Sequence, residues 1–122
     1  MNLQKVISGF FFILAMTLNF GFFYGDVHNI EMHSSYELFF ALIVSLISTV
    51  LKIGDKTQIG SVLLASSLVA DIQLISAVIV WTVADGMTTA TMATIVSLSG
   101  GALMANITSV ILYIGETLKS KR

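Results

Sequence analysis

Asp71 is the residue whose type and position most strongly suggest chemistry. It lies twelve residues after Ile59 and ten before Trp81, in the middle of an apolar segment. A charged carboxylate at the centre of a bilayer costs about 3 kcal/mol on insertion scales, so such residues typically mark ion pathways or proton relays. No Lys, Arg or His is predicted at comparable depth. We therefore expect Asp71 to be protonated, bonded to neutral groups such as Ser67 one helical turn away, exposed to water, or bound to a cation.

The segment 87–115 carries a second set of residues that could form an ion pathway. At helical spacing, its small and weakly polar side chains share one broad face, which includes Thr88, Thr91, Ser99 and Asn106. In a membrane, such a face either lets helices pack closely or lines a wet cavity, and both alternatives stay open. Asn106 lies at a depth close to that of Asp71, so the two are predicted to be able to share a site.

Gly100 and Gly101 lie in the middle of the same segment. Glycine weakens a helix and admits a bend, so this pair predicts a hinge.

The connections between apolar segments contain a third set of polar residues. Asp26 and Asp85 each end an apolar segment and could form acidic rings at an outer mouth in an oligomer. His28, Glu31 and His33 are spaced three and two residues apart, which makes a weak metal site conceivable. Their spacing matches no zinc motif, so a solvated loop is the favoured interpretation.

The composition identifies the elements that must position these residues. The chain has 122 residues, of which 56% are hydrophobic and 11% charged. This charge content is about half that of an ordinary soluble domain. Four segments are long enough to cross a membrane, which takes about 20 apolar residues; they are 3–24, 37–53, 59–81 and 87–115. We expect an all-α polytopic membrane protein, with residues 1–122 forming a single transmembrane domain.

An alternative makes residues 1–20 a cleavable signal peptide. It is disfavoured because the large residues Phe20, Phe22 and Phe23 occupy the place where small residues would mark the cleavage site.

The positive charges predict the orientation in the membrane. All six fall on one side of a four-helix arrangement, whereas the opposite side carries only acids; the cations are Lys5, Lys52, Lys56, Lys119, Lys121 and Arg122. Since cytoplasmic loops collect Lys and Arg, both termini are predicted to be cytoplasmic, in a bacterial-type inner membrane. The stem of Lys52 is expected to reach the lipid headgroups.

An internal similarity suggests a duplication. Residues 48–55 and 109–116 share a pattern of Ser, apolar residues, Ile-Gly and an acid. They would belong to two parallel two-helix repeats related by an axis near the membrane normal. The alternative is that apolar segments resemble one another through composition alone.

Several classes of function are disfavoured. A net charge of −1 argues against a nucleic-acid partner, and the absence of cysteine excludes thiolate metal sites and cysteine nucleophiles. With no histidine in an apolar segment and no glycine-rich phosphate loop, the chain is not expected to be an enzyme. No cofactor is expected beyond a bound monovalent or divalent cation.

The function that the sequence favours is that of a homo-oligomeric cation channel or a cation- or proton-conducting protein. A bundle of four helices has little interior, so several copies would share one pathway in the lipid bilayer. Two alternatives stay open. One is a non-conducting structural or regulatory subunit that packs against a larger partner, and the other is a cation-coupled transporter of a small solute.

Overall fold

The chain forms four α-helices within residues 3–24, 35–53 and 58–120, the part that the computed structural model describes. They are α1 (Leu3–Phe23), α2 (Ser35–Ile53), α3 (Gln58–Val83) and α4 (Thr89–Ser120). Each is long and apolar enough to cross a membrane. Proline, which would interrupt a helix, is absent from the sequence. The prediction of an all-α protein with four membrane-length helices is confirmed.

The four helices pack as a closed ring. Each contacts its neighbours in the chain, and α1 also packs against α4. Neighbours run antiparallel, because Gly21 near the end of α1 lies against Glu37 at the start of α2, and the Tyr113 hydroxyl near the end of α4 donates to the Lys5 carbonyl at 2.8 Å. The start of α1 and the end of α4 therefore share one end of the bundle, which we call the terminal end.

The interior of the bundle combines small and polar residues with large apolar ones, whereas large apolar side chains cover much of its exterior. Buried positions include Ala15, Ala41, Ala70, Ala77 and Ala102, together with ten polar or charged side chains among the described residues. Phe, Ile, Leu and Val side chains on all four helices are exposed. This distribution is typical of helices that pack through small and polar groups and present apolar side chains to lipid.

The helix α4 is longer than the sequence predicts. It has 32 residues and ends at Ser120, whereas the apolar segment ends near residue 115. At 1.5 Å per residue the helix is about 48 Å long, so it exceeds a hydrocarbon core of about 30 Å.

The turn before α4 explains how that helix begins. Gly86 has a φ of 88°, a conformation that glycine adopts readily and other residues rarely do. The Thr88 hydroxyl then accepts from the backbone N–H of Thr91 at 3.1 Å and donates to the Thr91 hydroxyl at 3.0 Å. Thr88 is thus the N-cap of α4.

Gly100 and Gly101 allow neighbouring helices to approach α4 closely. A Cβ at Gly100 would lie 2.8 Å from Cε1 of Phe23 on α1, and one at Gly101 would overlap the side-chain amide of Gln73 on α3. The helix is continuous through both positions. The glycines therefore have a packing role on two sides of α4, and the hinge stays a prediction.

Candidate functional site

Asp71 lies at mid-length of α3 and at the interface with α2. Its side chain is only 5% exposed. The Ser45 hydroxyl donates to Oδ1 at 2.6 Å, and the Thr49 hydroxyl donates to Oδ2 at 2.5 Å. Both oxygens of the buried carboxyl are therefore bonded to hydroxyls from the neighbouring helix, which is how buried polar groups are stabilised.

Helical spacing explains why these side chains meet. Ser45, Thr49 and Lys52 are separated by four and three residues, so they share one face of α2. Ser67 and Asp71 are four residues apart and share one face of α3. Because α2 and α3 are antiparallel neighbours, the two faces oppose each other along the interface. We call these five residues the α2–α3 cluster.

Lys52 supplies the positive charge of the cluster. Its side chain is 4% exposed, its Nζ donates to the Ser67 hydroxyl, and the same atom lies 4.3 Å from the centroid of the Phe12 ring. The Asp71 carboxylate attracts this ammonium, and the aromatic face adds a cation–π contact.

One prediction about this region is wrong. Lys52 does not extend to the headgroups but points into the bundle, where Ser67 and Phe12 stabilise it. The ammonium lies about one helical turn nearer the terminal end than Asp71 and attracts the carboxylate across that distance.

A second polar cluster joins α1 to α4. Asn19 is fully buried, and its side-chain amide lies 2.7 Å from the Ser99 hydroxyl. With the amide nitrogen turned towards α4, Asn19 also donates to the Ser99 carbonyl at 3.1 Å and accepts from the Leu103 backbone N–H at 2.9 Å and from Nδ2 of Asn106 at 3.2 Å. We call Asn19, Ser99, Leu103 and Asn106 the α1–α4 cluster.

This cluster lies beside the glycine pair of α4, a residue type that weakens a helix. In an α-helix the backbone N–H of Leu103 bonds to the carbonyl of Ser99, four residues earlier. Gly100 and Gly101 lie between these two residues. Asn19 bonds both backbone groups from the side, so a neighbouring helix supports α4 at its glycine pair.

The residues predicted for an ion pathway thus fall into three places. Asp71 and Ser67 lie together in the α2–α3 cluster. Ser99 and Asn106 lie in the α1–α4 cluster, where Asn106 bonds Asn19, while Thr88 and Thr91 form the N-terminal cap of α4.

The residues predicted for the outer mouth and the metal site are mostly beyond what the structure describes. Asp85 is exposed in the bend between α3 and α4. Asp26, His28, Glu31 and His33 lie outside the described residues. Within residues 3–24, 35–53 and 58–120, no group of three or more His, Asp or Glu side chains is arranged to hold a metal ion.

Sequence reasoning missed Ser45, Thr49 and Asn19 as members of these clusters. A signal for the first two is present, because α2 is otherwise apolar and its hydroxyls recur at helical spacing towards Lys52. Asn19 is the single amide within the apolar part of α1, and its type alone marks it as a group that needs a partner in lipid.

The fold and the two clusters define a class: a multi-pass membrane protein whose four-helix bundle encloses an acid and an ammonium between two of its helices. The sequence model of a family of unknown function (DUF6394) matches residues 32–117. The chain belongs to that family. The matched region contains all of α2 and α3 and most of α4, and hence the whole α2–α3 cluster, whereas Asn19 precedes it. No curated protein and no solved structure matches the chain.

Proposed function

We propose that this protein moves a small cation across a membrane, and that Asp71 is the group within the membrane that takes up and releases it. The observation that supports this most directly is the placement of the carboxyl. It is buried at mid-length of a membrane-length helix, with both oxygens bonded to hydroxyls. Ionisable groups at this depth are costly and are usually retained for transport.

The proximity of Lys52 to Asp71 supports a role beyond structure. Two buried charges cost more in desolvation than neutral hydroxyls or amides would, and apolar side chains often replace such pairs without loss of stability. The α1–α4 cluster joins its helices with neutral groups alone, so this bundle does not need charges to hold together. The charges in the α2–α3 cluster are better explained by a task that requires them.

The proposed pathway runs along the α2–α3 interface of each copy. Asp71 lies at its middle, and Ser67 and Lys52 lie about one turn nearer the terminal end. Ser99 and Asn106 are committed to Asn19 in the other seam. They are therefore proposed to hold α4 in place, and the cation is proposed to move past Asp71.

The test is transport by the purified protein in liposomes. Under an imposed membrane potential, uptake of protons, Na⁺ and K⁺ is recorded separately, with protein-free liposomes as the baseline. We expect the protein to carry one of these ions, and Asp71→Asn to reduce the rate to the baseline. Glu116→Gln is the matched control, because it makes the same acid-to-amide change near the end of α4, outside both clusters. Absence of transport of any cation would overturn the proposal.

We also propose that copies associate through α4. Thr94, Ser97 and Thr108 on this helix are exposed, and small side chains let membrane helices approach closely. Light scattering of the purified protein in detergent tests this proposal. A species of defined mass above 13.2 kDa, after correction for detergent, supports it, and Ser97→Leu is expected to dissociate that species.

The same exposed face favours a second candidate function. A non-conducting structural or regulatory subunit would use it to pack against a different membrane protein. This function predicts no cation transport in liposomes and a monomer in detergent, so the two experiments above separate the candidates.

For the orientation, we propose that both termini are cytoplasmic, in a bacterial-type inner membrane. Lys5 and Lys119 lie at the terminal end of the bundle, and Asp85 lies at the other. Lys52, which is buried, no longer counts as a loop charge. Because the chain has no cysteine, single-cysteine variants Asp85→Cys and Lys119→Cys report sidedness cleanly: an impermeant thiol reagent should label the first from outside and the second only from inside.

We also propose that the two halves of the chain arose by duplication. The duplication is supported by the similar sequences of residues 48–55 and 109–116, which both begin with Ser and end with Ile-Gly and an acid. If the proposal holds, a solved structure should superpose α1–α2 on α3–α4 by rotation about an axis near the membrane normal.

A further inference from the structure

We infer that the cation exchanged at Asp71 is a proton, and that the Thr49 hydroxyl adapts to the two protonation states of the carboxyl. This inference rests on the proposed function and names the ion. It is carried by the position of Thr49 Oγ1, which lies between two acceptors: Oδ2 of Asp71 at 2.5 Å and the Ser45 carbonyl at 3.0 Å.

A threonine hydroxyl has one hydrogen to donate and two lone pairs to accept with. When Asp71 is ionised, the Thr49 hydrogen points to Oδ2. When a proton from hydronium adds to Oδ2, releasing water, the new O–H of Asp71 donates to Thr49 Oγ1. The Thr49 hydrogen then turns to the Ser45 carbonyl. No heavy atom has to move, and each polar group keeps a partner in both states.

Ser45 determines which carboxyl oxygen takes the proton. Its hydroxyl donates to Oδ1 at 2.6 Å, and it can keep donating to that oxygen whether Oδ1 belongs to a carboxylate or is the carbonyl oxygen of the protonated acid. Oδ1 therefore keeps its donor throughout, and Oδ2 is the oxygen that gains and loses the proton. Release is the reverse step, in which water accepts the proton from Oδ2.

Lys52 opposes a metal ion in the same place. A bound metal ion needs several oxygen ligands at once. Here the Ser67 hydroxyl already accepts a hydrogen bond from Lys52 Nζ, so it is not free to coordinate a metal ion. A proton is held by a covalent bond to one oxygen and needs no further ligands.

The experiment uses the full-length protein in liposomes with two substitutions at one position. Thr49→Val keeps the shape of the side chain and removes the hydroxyl, and Thr49→Ser keeps the hydroxyl. Proton uptake is followed with a pH-sensitive dye trapped inside, and Na⁺ and Rb⁺ uptake with radioactive tracers. Infrared difference spectra after a pH jump report the protonated carboxyl through its C=O band, and Asp71→Asn assigns the band by removing it.

We expect the wild type to carry protons, with Na⁺ and Rb⁺ at the protein-free baseline. Thr49→Ser should retain the proton rate within about threefold, whereas Thr49→Val should lower it by about 100-fold, the order lost when a positioned proton-transfer group is removed. In Thr49→Val, the C=O band of Asp71 should also move to higher wavenumber, because the protonated acid loses the acceptor of its O–H.

The possible failures are distinguishable. If the wild type carries Na⁺ or Rb⁺ but no protons, the proposed function stands and the inference is overturned. If it carries nothing, the proposed function falls, and a missing pH-dependent band assigned to Asp71 would overturn the proton exchange as well. If Thr49→Val matches the wild type in both rate and band, Thr49 has no part in the exchange. A Thr49→Val protein that does not fold leaves the wild-type ion selectivity and the Asp71 band to decide the outcome.

Discussion

The two polar clusters solve the same problem of burying polar groups in a lipid-facing bundle, but they do so with different chemistry. The α1–α4 cluster uses two amides, a hydroxyl and backbone groups, all of them neutral. The α2–α3 cluster uses hydroxyls around a carboxyl and an ammonium. Both lie within the bundle, in seams that share no helix.

Under the proposed function, the neutral α1–α4 cluster holds two helices together, whereas the charged α2–α3 cluster changes its protonation state. A neutral amide bonded on both sides has no second charge state available near neutral pH, so its network is fixed once it forms. A carboxyl has two protonation states, and a hydroxyl beside it can donate to one state and accept from the other. Under the proposed function, buried polar groups therefore provide rigidity in the α1–α4 seam and a change of protonation state in the α2–α3 seam.

The largest expected effect comes from removing one charge of the pair. Lys52→Met should lower the free energy of unfolding by about 3 kcal/mol at neutral pH, because Asp71 is left buried without compensation. Adding Asp71→Asn to that variant should recover most of the loss. Reversible unfolding in mixed detergent micelles, followed by circular dichroism, measures both.

Lys119→Met serves as the control for that series, since Lys119 is exposed on α4 and its loss should change little. If the single and double variants proved equally unstable, the two charges would not act as a pair, and the contrast between the clusters would lose its basis.

A smaller effect is expected in the neutral cluster. Asn19→Leu should cost about 1 kcal/mol, the order found for hydrogen bonds between membrane helices, and should leave cation transport in liposomes at the wild-type rate. Combined with Lys52→Met, its effect on stability should add within about 0.5 kcal/mol, as expected for separate sites. A fall in transport comparable to that of Asp71→Asn would show that the division between a fixed and a switching seam is wrong.

The smallest effect is expected at the terminal end of the α1–α4 seam. Tyr113→Phe removes the hydrogen bond to the Lys5 carbonyl but keeps the edge-to-face contact with Phe12, whose centroid lies 4.9 Å away. The loss should be about 0.5 kcal/mol, measured by the same unfolding assay. A loss as large as that of Asn19→Leu would mean that this seam is held at its end rather than at its middle.

The helices and the depth of Asp71 could be predicted from the sequence, because apolar length and position along a helix are local properties. The spacing of Ser67 and Asp71 likewise places them on one face without further information. What local spacing does not contain is the partner of that face. Ser45 and Thr49 lie on a different helix, and pairing them with Asp71 requires the relative rotation of α2 and α3.

The predictions for Lys52 and Asn106 failed for the same reason, because neither contained the packing between helices. Lys52 is one residue from the end of α2, which suggests contact with headgroups, but a long side chain can point either way along its helix, and Ser67 and Phe12 decide the direction. Asn106 matches the depth of Asp71, yet it faces α1. Depth follows from counting residues, whereas the direction of a side chain around the helix depends on packing.

The separation in sequence between the bonded residues determines when each cluster can form during biosynthesis. The hydrogen bonds of Asp71 join residues 26 and 22 positions apart, within one hairpin of consecutive helices. The bond between Asn19 and Ser99 spans 80 positions, and that between Tyr113 and Lys5 spans 108. Since the ribosome delivers helices in order, the charged residues can find each other before α4 has been made. The α4 partners of Asn19 are made last, so the α1–α4 seam, and with it the ring, closes only at the end of synthesis.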